Sequence, residues 1–296
     1  NHYLQPSTDI TSYYGNVATA QLEPYDVMTI FGRGFGALST DLTGVEIVAS
    51  EDVSVFGGPT CSNVPHAFAA CDHLETSLMP VDSWQNEFVV AHTYFRSELP
   101  TEVNYYRIVA DVDGTIVQTE PRFSELDPLG AVVAPLPTCT SKLYDGSIQL
   151  NAGEWCEFGT RLSFVIESTE PIQLVQLLTG SQAAVAPPEP ESEPEPVEED
   201  DGLDESEDVE DLNDDESGED APDDDTEAEP APRQVGDPAL TFVPPSAQFR
   251  QNYTFLTPDT FARNYVNVVH GPGAEIYLDG MELNDISEPD IMLKVH

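Results

Sequence analysis

The sequence predicts an all-β protein on three observations. Short apolar runs alternate at period two, the spacing of half-buried strands. Turn chemistry separates those runs in pairs, as at Asp113-Gly114, Glu170-Pro171 and Gly271-Pro272-Gly273. No long stretch carries the 3.6-residue stripe of an amphipathic helix.

Four segments read alike. They are Glu46–Phe56, Arg107–Val117, Phe164–Leu174 and Asn267–Tyr277, each a short apolar run, a polar turn and a second alternating run. This pattern predicts β-hairpins. With Ile47, Ile108, Val165 and Val268 as anchors the spacings are 61, 57 and 103 residues. Between the hairpins, 26–31, 88–95, 147–150, 239–243 and 253–256 read as further strands. Repeats of about 58 residues with four strands each favour a β-propeller-like array. A pair of β-sandwich domains is the alternative.

The last spacing is long because an acidic segment intervenes. Residues 187–232 hold 24 acids, eight prolines and no lysine or arginine; without these 46 residues the spacing becomes 57. So little apolar surface cannot offset chain entropy, so the segment is expected to be a disordered, extended insert. The expected organisation is a β-repeat domain over 1–186, the insert over 187–232, and a continuation of the β-repeat domain over 233–296.

Charge narrows the function classes. The chain has 296 residues, 55 acids against 10 Lys and Arg, and a formal charge of −45. Outside the insert, 31 acids and 10 bases remain, so the folded part is acidic as well. Such a surface repels phosphate backbones, which argues against nucleic-acid binding. No run approaches the roughly 20 apolar residues of a membrane helix. Cations, basic proteins or mucus-like polymers suit the charge better.

The four cysteines fall as two local pairs, with nine and 16 residues between partners. Of three connectivities, Cys61–Cys71 with Cys139–Cys156 is the expected one, and disulfides imply an oxidising compartment. The start at Asn1 reads as a mature protein or an excised fragment. Asn252-Tyr253-Thr254 is a glycosylation sequon, relevant only in a eukaryotic secretory pathway.

Other constellations give weaker signals. Cys61, His66, Cys71 and His73 are zinc-compatible residue types, but their spacing is not that of a zinc site and a disulfide competes for the thiols. Phe31-Gly-Arg-Gly-Phe-Gly36 lacks dinucleotide spacing and reads as a flexible turn. Asp211, Asn213 and Asp215 begin like a calcium loop, yet Glu216 and Pro222 stand where glycine and a bidentate glutamate belong. No metal site and no cofactor are expected, beyond weak calcium association with the acidic tract. No nucleophile elbow surrounds a serine, so no catalytic residue is assigned. Trp84 and Trp155 flank strand-like runs and read as packing residues, with a sugar-stacking platform as the functional alternative.

Several ordered stretches resemble one known family. They are Leu42–Ser50 leading into Val53–Gly58, Cys61–Pro65, Ala70–Leu74, Leu78–Pro80, Trp84, Phe88–Val90, Tyr106–Ala110 with Asp113–Thr115, Leu150–Glu154 and Pro171-Ile172. Together they resemble the family named for the N-terminal domain of the IgGFc-binding protein, over roughly residues 20–180 with a weaker echo at 239–280. The acidic insert is no part of that pattern. The resemblance implies a secreted or cell-surface, β-rich module without enzymatic activity and without catalytic residues to carry over.

The expected function is therefore an extracellular binding or adhesion module whose loops recognise a protein or glycan. The alternative is a structural subunit of a surface layer or fibre, assembled through strand edges with self-association. A glycan-acting enzyme is the minor alternative.

Overall fold

The computed structural model describes residues 10–14, 17–30, 32, 41–66, 71–94, 96, 102–126, 138–180, 236–257, 264–271 and 273–283. Strands dominate them. β1 (Ile10–Tyr14) and β2 (Val17–Ala20) pair as a hairpin, and β3 (Phe56–Gly57) with β4 (Thr76–Ser77) closes a loop. The main sheet comprises β5 (Gln85–Val90), β6 (Asn104–Ala110), β7 (Thr115–Glu120), β8 (Leu143–Tyr144), β9 (Ser147–Leu150), β10 (Trp155–Thr160), β11 (Phe164–Leu178) and β12 (Ala239–Phe242). β13 (Tyr277–Leu278) and β14 (Met281–Glu282) form a last small hairpin, and the one-turn helix α1 spans Phe123–Leu126.

The spine is β11, fifteen residues long. Its first half pairs antiparallel with β5 on one edge, from Phe164↔Val90 to Glu167↔Glu87, and with β7 on the other, from Val165↔Glu120 to Ser168↔Val117. Its second half pairs with β6, from Ile172↔Ala110 to Leu177↔Tyr105, and with β12, from Val175↔Phe242 to Leu178↔Ala239. β10 extends the sheet beyond β6, and β9 extends it beyond β7. The turns 111–114 and 151–154 and the interruption of β11 pairing at 169–171 thus fall on one line across the sheet.

The sheet curls over that line. Tyr106 lies opposite Gln176, twelve residues along the strand from Phe164. A straight strand would separate those positions by about 40 Å. The rings of Tyr106 and Phe164 instead meet edge to face at 4.9 Å. The halves enclose a core of Phe88, Val90, Tyr106, Ile108, Val117, Ile148, Leu150, Phe158, Ile166, Ile172 and Leu174, with the Cys139–Cys156 bridge at its edge. Alternation explains the choice: β7 buries Thr115, Val117 and Thr119 and exposes Ile116, Gln118 and Glu120.

The second half is buried on both faces, and β6 accordingly reads as the continuous apolar run Tyr105-Tyr106 and Ile108-Val109-Ala110 around Arg107. Its outer face carries Tyr105, Val175 and Leu177, covered by Val64 within the loop bridged by Cys61–Cys71 and by Leu74 just after it.

The described residues are mostly β and antiparallel, as the periodicity predicts, but they do not reproduce a 58-residue hairpin repeat or a propeller blade. β6 and β7 are joined by a tight turn, yet each pairs with β11 rather than with the other. Phe164–Leu174 runs on within β11, and Glu170-Pro171 sits at its bend. Residues 46–55 and 267–276 form no strand where they are described, nor do 26–30 and 253–256. The physical reason is that a run–turn–run pattern specifies a strand's faces but not its neighbour. Residues 147–150 and 239–242 are strands, and 88–95 is strand through Val90. The acidic segment 187–232, the calcium-like stretch from Asp211, and the glycine alternation at 31–36 apart from Gly32 lie outside the described residues.

Candidate binding surface

The surface is organised by two arginines that tie loops to the sheet. Arg107 stands in the middle of β6 with its side chain on the outer face. Its Nε and Nη2 donate to Oε2 of Glu157 on β10 at 3.1 and 3.0 Å. Its Nη1 donates to Oδ2 of Asp41 at 2.9 Å and to the Thr43 hydroxyl at 2.7 Å. The guanidinium lies 4.1 Å from the centroid of the Trp155 ring, a cation–π contact. Trp155 is thus a packing residue here, as its position beside a strand predicts.

The charges are unequal. The Glu157 side chain is 3% exposed. Burial raises its pKa, and Arg107 offsets that only in part. Burial also pushes the Asp41 carboxyl up, but the Arg107 guanidinium and the hydrogen bonds from Thr43 outweigh it and hold the pKa below the ordinary value. The same region is fixed by backbone contact. Gly44 and Gly153 both have positive φ, 84° and 73°, and a Cβ on Gly44 would meet the Gly153 carbonyl. Asp113 accepts from the Ala152 N–H and Asn151 from the Gly114 N–H, so the turns along the fold line brace one another.

Arg96 performs a parallel task at the other end of the sheet. Its Nε and its backbone N–H donate to the two oxygens of Glu102, each at 2.8 Å, and that carboxylate is fully buried. Its Nη2 donates to the Thr179 carbonyl at 2.7 Å and its Nη1 to the Asp237 carbonyl at 3.1 Å. Thr179 follows β11 and Asp237 precedes β12, so one guanidinium joins the two chain ends that flank residues 181–235.

Between these anchors run extended segments that expose apolar side chains. Residues 45–55 leave the Gly44 contact and rejoin the fold at β3, where the Leu78 N–H donates to the Val55 carbonyl at 2.8 Å. Val48 is 82% exposed, with Ile47, Val53 and Phe56 about half to two-thirds exposed. After β12, Ser246 and Gln248 side chains donate to the carbonyls of Glu87 and Ser83, fastening the chain along β5. Tyr253 is 71% and Leu256 90% exposed. Further on, Asn267 donates to the His92 carbonyl and Tyr265 packs on Tyr94 with centroids 5.6 Å apart. Val266 and Val268 are about half exposed. Apolar side chains are exposed elsewhere too, as at Tyr25 and Val27, but on these segments they sit on strand-free chain that is hydrogen-bonded to the sheet close by.

Concavities are modest by comparison. A small open cleft lies where β5 and β12 meet along β11, lined by Trp84, Phe88, Ile172, Phe242 and Pro245 among others. Trp84 donates its ring N–H to the Met79 carbonyl at 3.2 Å. A second, polar depression sits on the outer face of β7 and β11 between Gln118, Glu120, Val165 and Glu167.

The predicted cysteine positions are brought together in two pairs. Cys61 and Cys71 are joined with Cα atoms 5.1 Å apart, and Cys139 and Cys156 with Cα atoms 4.8 Å apart. His73 sits beside the first bridge with Nδ1 3.1 Å from the Pro59 carbonyl and Nε2 3.5 Å from Glu75. Asn252 of the sequon is exposed. Sequence reasoning missed Arg96, Arg107 and their carboxylates. The available signal was the placement of Arg107 between Tyr106 and Ile108, because a cation inside an apolar run in so acidic a chain needs partners.

A family model described as IgGFc binding protein matches residues 3–291 of the chain. No curated protein and no solved structure matches.

Proposed function

The chain belongs to the IgGFc-binding protein family, and from that premise we propose that it is an extracellular, non-enzymatic module that binds another protein through its tethered extended segments. One observation carries the reading: 45–56, 253–257 and 264–268 hold apolar side chains in water although the chain beside them is fixed to a rigid sheet. Pre-fixed ends reduce the entropy lost when such a segment is captured as an added strand. Residues 187–232 then act as a solvated acidic spacer. The pairing Leu178↔Ala239 supports a single β unit on either side of it, and its charge favours basic partners or cations. Antibody Fc is named by the family description and has no residue here to support it as this chain's ligand.

The test is site-specific photo-crosslinking in native extracellular material. A benzophenone side chain replaces Val48 or Leu256, with the equally exposed Tyr144 as the control position. Discrete adducts from 48 and 256 but not 144 support the reading. Equal labelling from all three, or none from 48 and 256, overturns it.

A second reading draws on the strand-type composition of 46–56 and 267–277. If copies of this chain supply the missing strands, the module is a structural subunit of a surface layer or fibre. Ordered polymers in purified protein, lost with Val48→Pro, distinguish that role from binding of a foreign partner.

A further inference from the structure

The two disulfides occupy opposite environments. Cys139 and Cys156 are 2% and 0% exposed and border the core. Cys61 and Cys71 are exposed at the surface. The exposed bridge closes a loop of particular use to the fold. Ser62 and Asp72 exchange two backbone hydrogen bonds beside it, at 2.8 and 3.2 Å, and the Leu74 N–H donates to the Pro59 carbonyl at 3.2 Å. From this short ladder Val64 and Leu74 reach onto Tyr105, Val175 and Leu177. The Gly180 N–H, just beyond β11, donates to the Val64 carbonyl at 2.8 Å.

We propose that Cys61–Cys71 is a redox-sensitive latch: its reduction by a soluble or protein dithiol releases the Val64 and Leu74 plug and uncovers the apolar outer face of β6, β11 and β12. The inference is independent of the reading given above. Chemically, a thiolate of the dithiol attacks one exposed sulfur and expels the other as a thiolate, leaving a mixed disulfide. The second thiol of the reductant then displaces the protein sulfur. Two cysteine thiols and one oxidised dithiol result. Access decides which bridge reacts, because attack needs an in-line approach that the buried sulfurs of Cys139 and Cys156 do not offer. The consequence is local. The core contains the other bridge and none of the plug residues, so the curled sheet persists when the plug lifts. Release also unfastens Gly180, where the chain leaves β11 towards the acidic segment.

The test is timed reduction of the purified chain with dithiothreitol, quenched by alkylation and mapped by peptide mass. Cys61 and Cys71 acquire label at least about tenfold sooner than Cys139 and Cys156. At the stage where only the first pair is alkylated, an apolar dye gains fluorescence and circular dichroism keeps its strand signal. The variant Cys61→Ser with Cys71→Ser binds the dye without reductant and shows no further change during the first phase. Where that variant fails to fold, the partly alkylated wild type supplies the same readout. Equal labelling rates for both pairs overturn the proposal. So does selective labelling without a rise in dye binding, because the plug then stays seated without its bridge.

Discussion

Arg107→Ala is the most informative single perturbation of this fold. Wild-type Glu157 is almost wholly buried and receives two hydrogen bonds from the guanidinium. Truncation leaves that carboxylate without its counter-charge, which costs roughly 3–5 kcal/mol at neutral pH. The contact with Trp155 adds about 0.5–1 kcal/mol. For a protein of this size each kcal/mol lowers Tm by roughly 2–4 °C, so a drop of roughly 7–24 °C is expected. The variant also frees Asp41 and Thr43, loosening the start of the 45–55 segment. Acid should partly rescue it. A buried glutamate has a folded pKa above its unfolded value, ordinarily 4.5. It favours folding fully below that value and loses the contribution as pH rises through the folded pKa. Without Arg107 the folded pKa climbs further, so the variant's deficit narrows as pH falls from 7 towards 4.5. Asp41 works in the opposite sense in the wild type, because its pKa is lowered. Its contribution is present above its unfolded value and fades as pH falls through the folded one, which narrows the gap again at still lower pH. Urea unfolding followed by far-ultraviolet circular dichroism at several pH values measures the difference. A loss under about 1 kcal/mol, or a deficit that grows on acidification, would refute the buried-pair account.

Four further outcomes follow from named contacts. Gly44→Ala should destabilise by roughly 2–4 kcal/mol, because the new Cβ meets the Gly153 carbonyl at positive φ; Gly146→Ala, also at positive φ but in open space, should cost only about 1 kcal/mol in the same thermal melt. Arg96→Ala should cost roughly 3–5 kcal/mol by stranding Glu102, with faster amide exchange at 175–178 and 239–242. Joint replacement of Cys139 and Cys156 by alanine, which opens a 17-residue separation, should cost about 3 kcal/mol by chemical denaturation. Replacing 187–232 by a short Gly-Ser linker should leave Tm within about 3 °C, since loop length enters closure entropy only logarithmically; a collapse in cooperativity would contradict its role as a spacer.

Some of this was legible in the residues and some was not. Alternation located β9 and β12 well and caught parts of β5 and β7, because each of these strands turns one face inward and one outward. The curl was hidden. Glu170-Pro171 carries the chemistry of a turn, and only the pairing of β11 on both sides of it shows a bend in one strand. The same limit produced the repeat: Ile47 and Ile108 begin similar runs, yet Ile108 is fully buried in a central strand and Ile47 is half exposed on an unpaired segment. Register and partner are tertiary properties that a one-dimensional pattern does not hold. The arginine clasps escaped for a related reason. Glu102 and Glu157 are two acids among 55, and nothing local separates them from the solvated ones. The family resemblance, carried by many short elements in order, extends over nearly the whole chain.

The central claim is that a rigid, curled sheet holds strand-like segments extended and unpaired. Amide hydrogen exchange on the dilute purified chain tests it directly. Residues 46–54 and 251–256 should exchange within seconds, while 105–109 and 172–177 stay protected by several orders of magnitude. Protection at 46–54 equal to that of β11 in a monomer would mean that the segment already has its strand partner, and the proposed recognition surface would not exist.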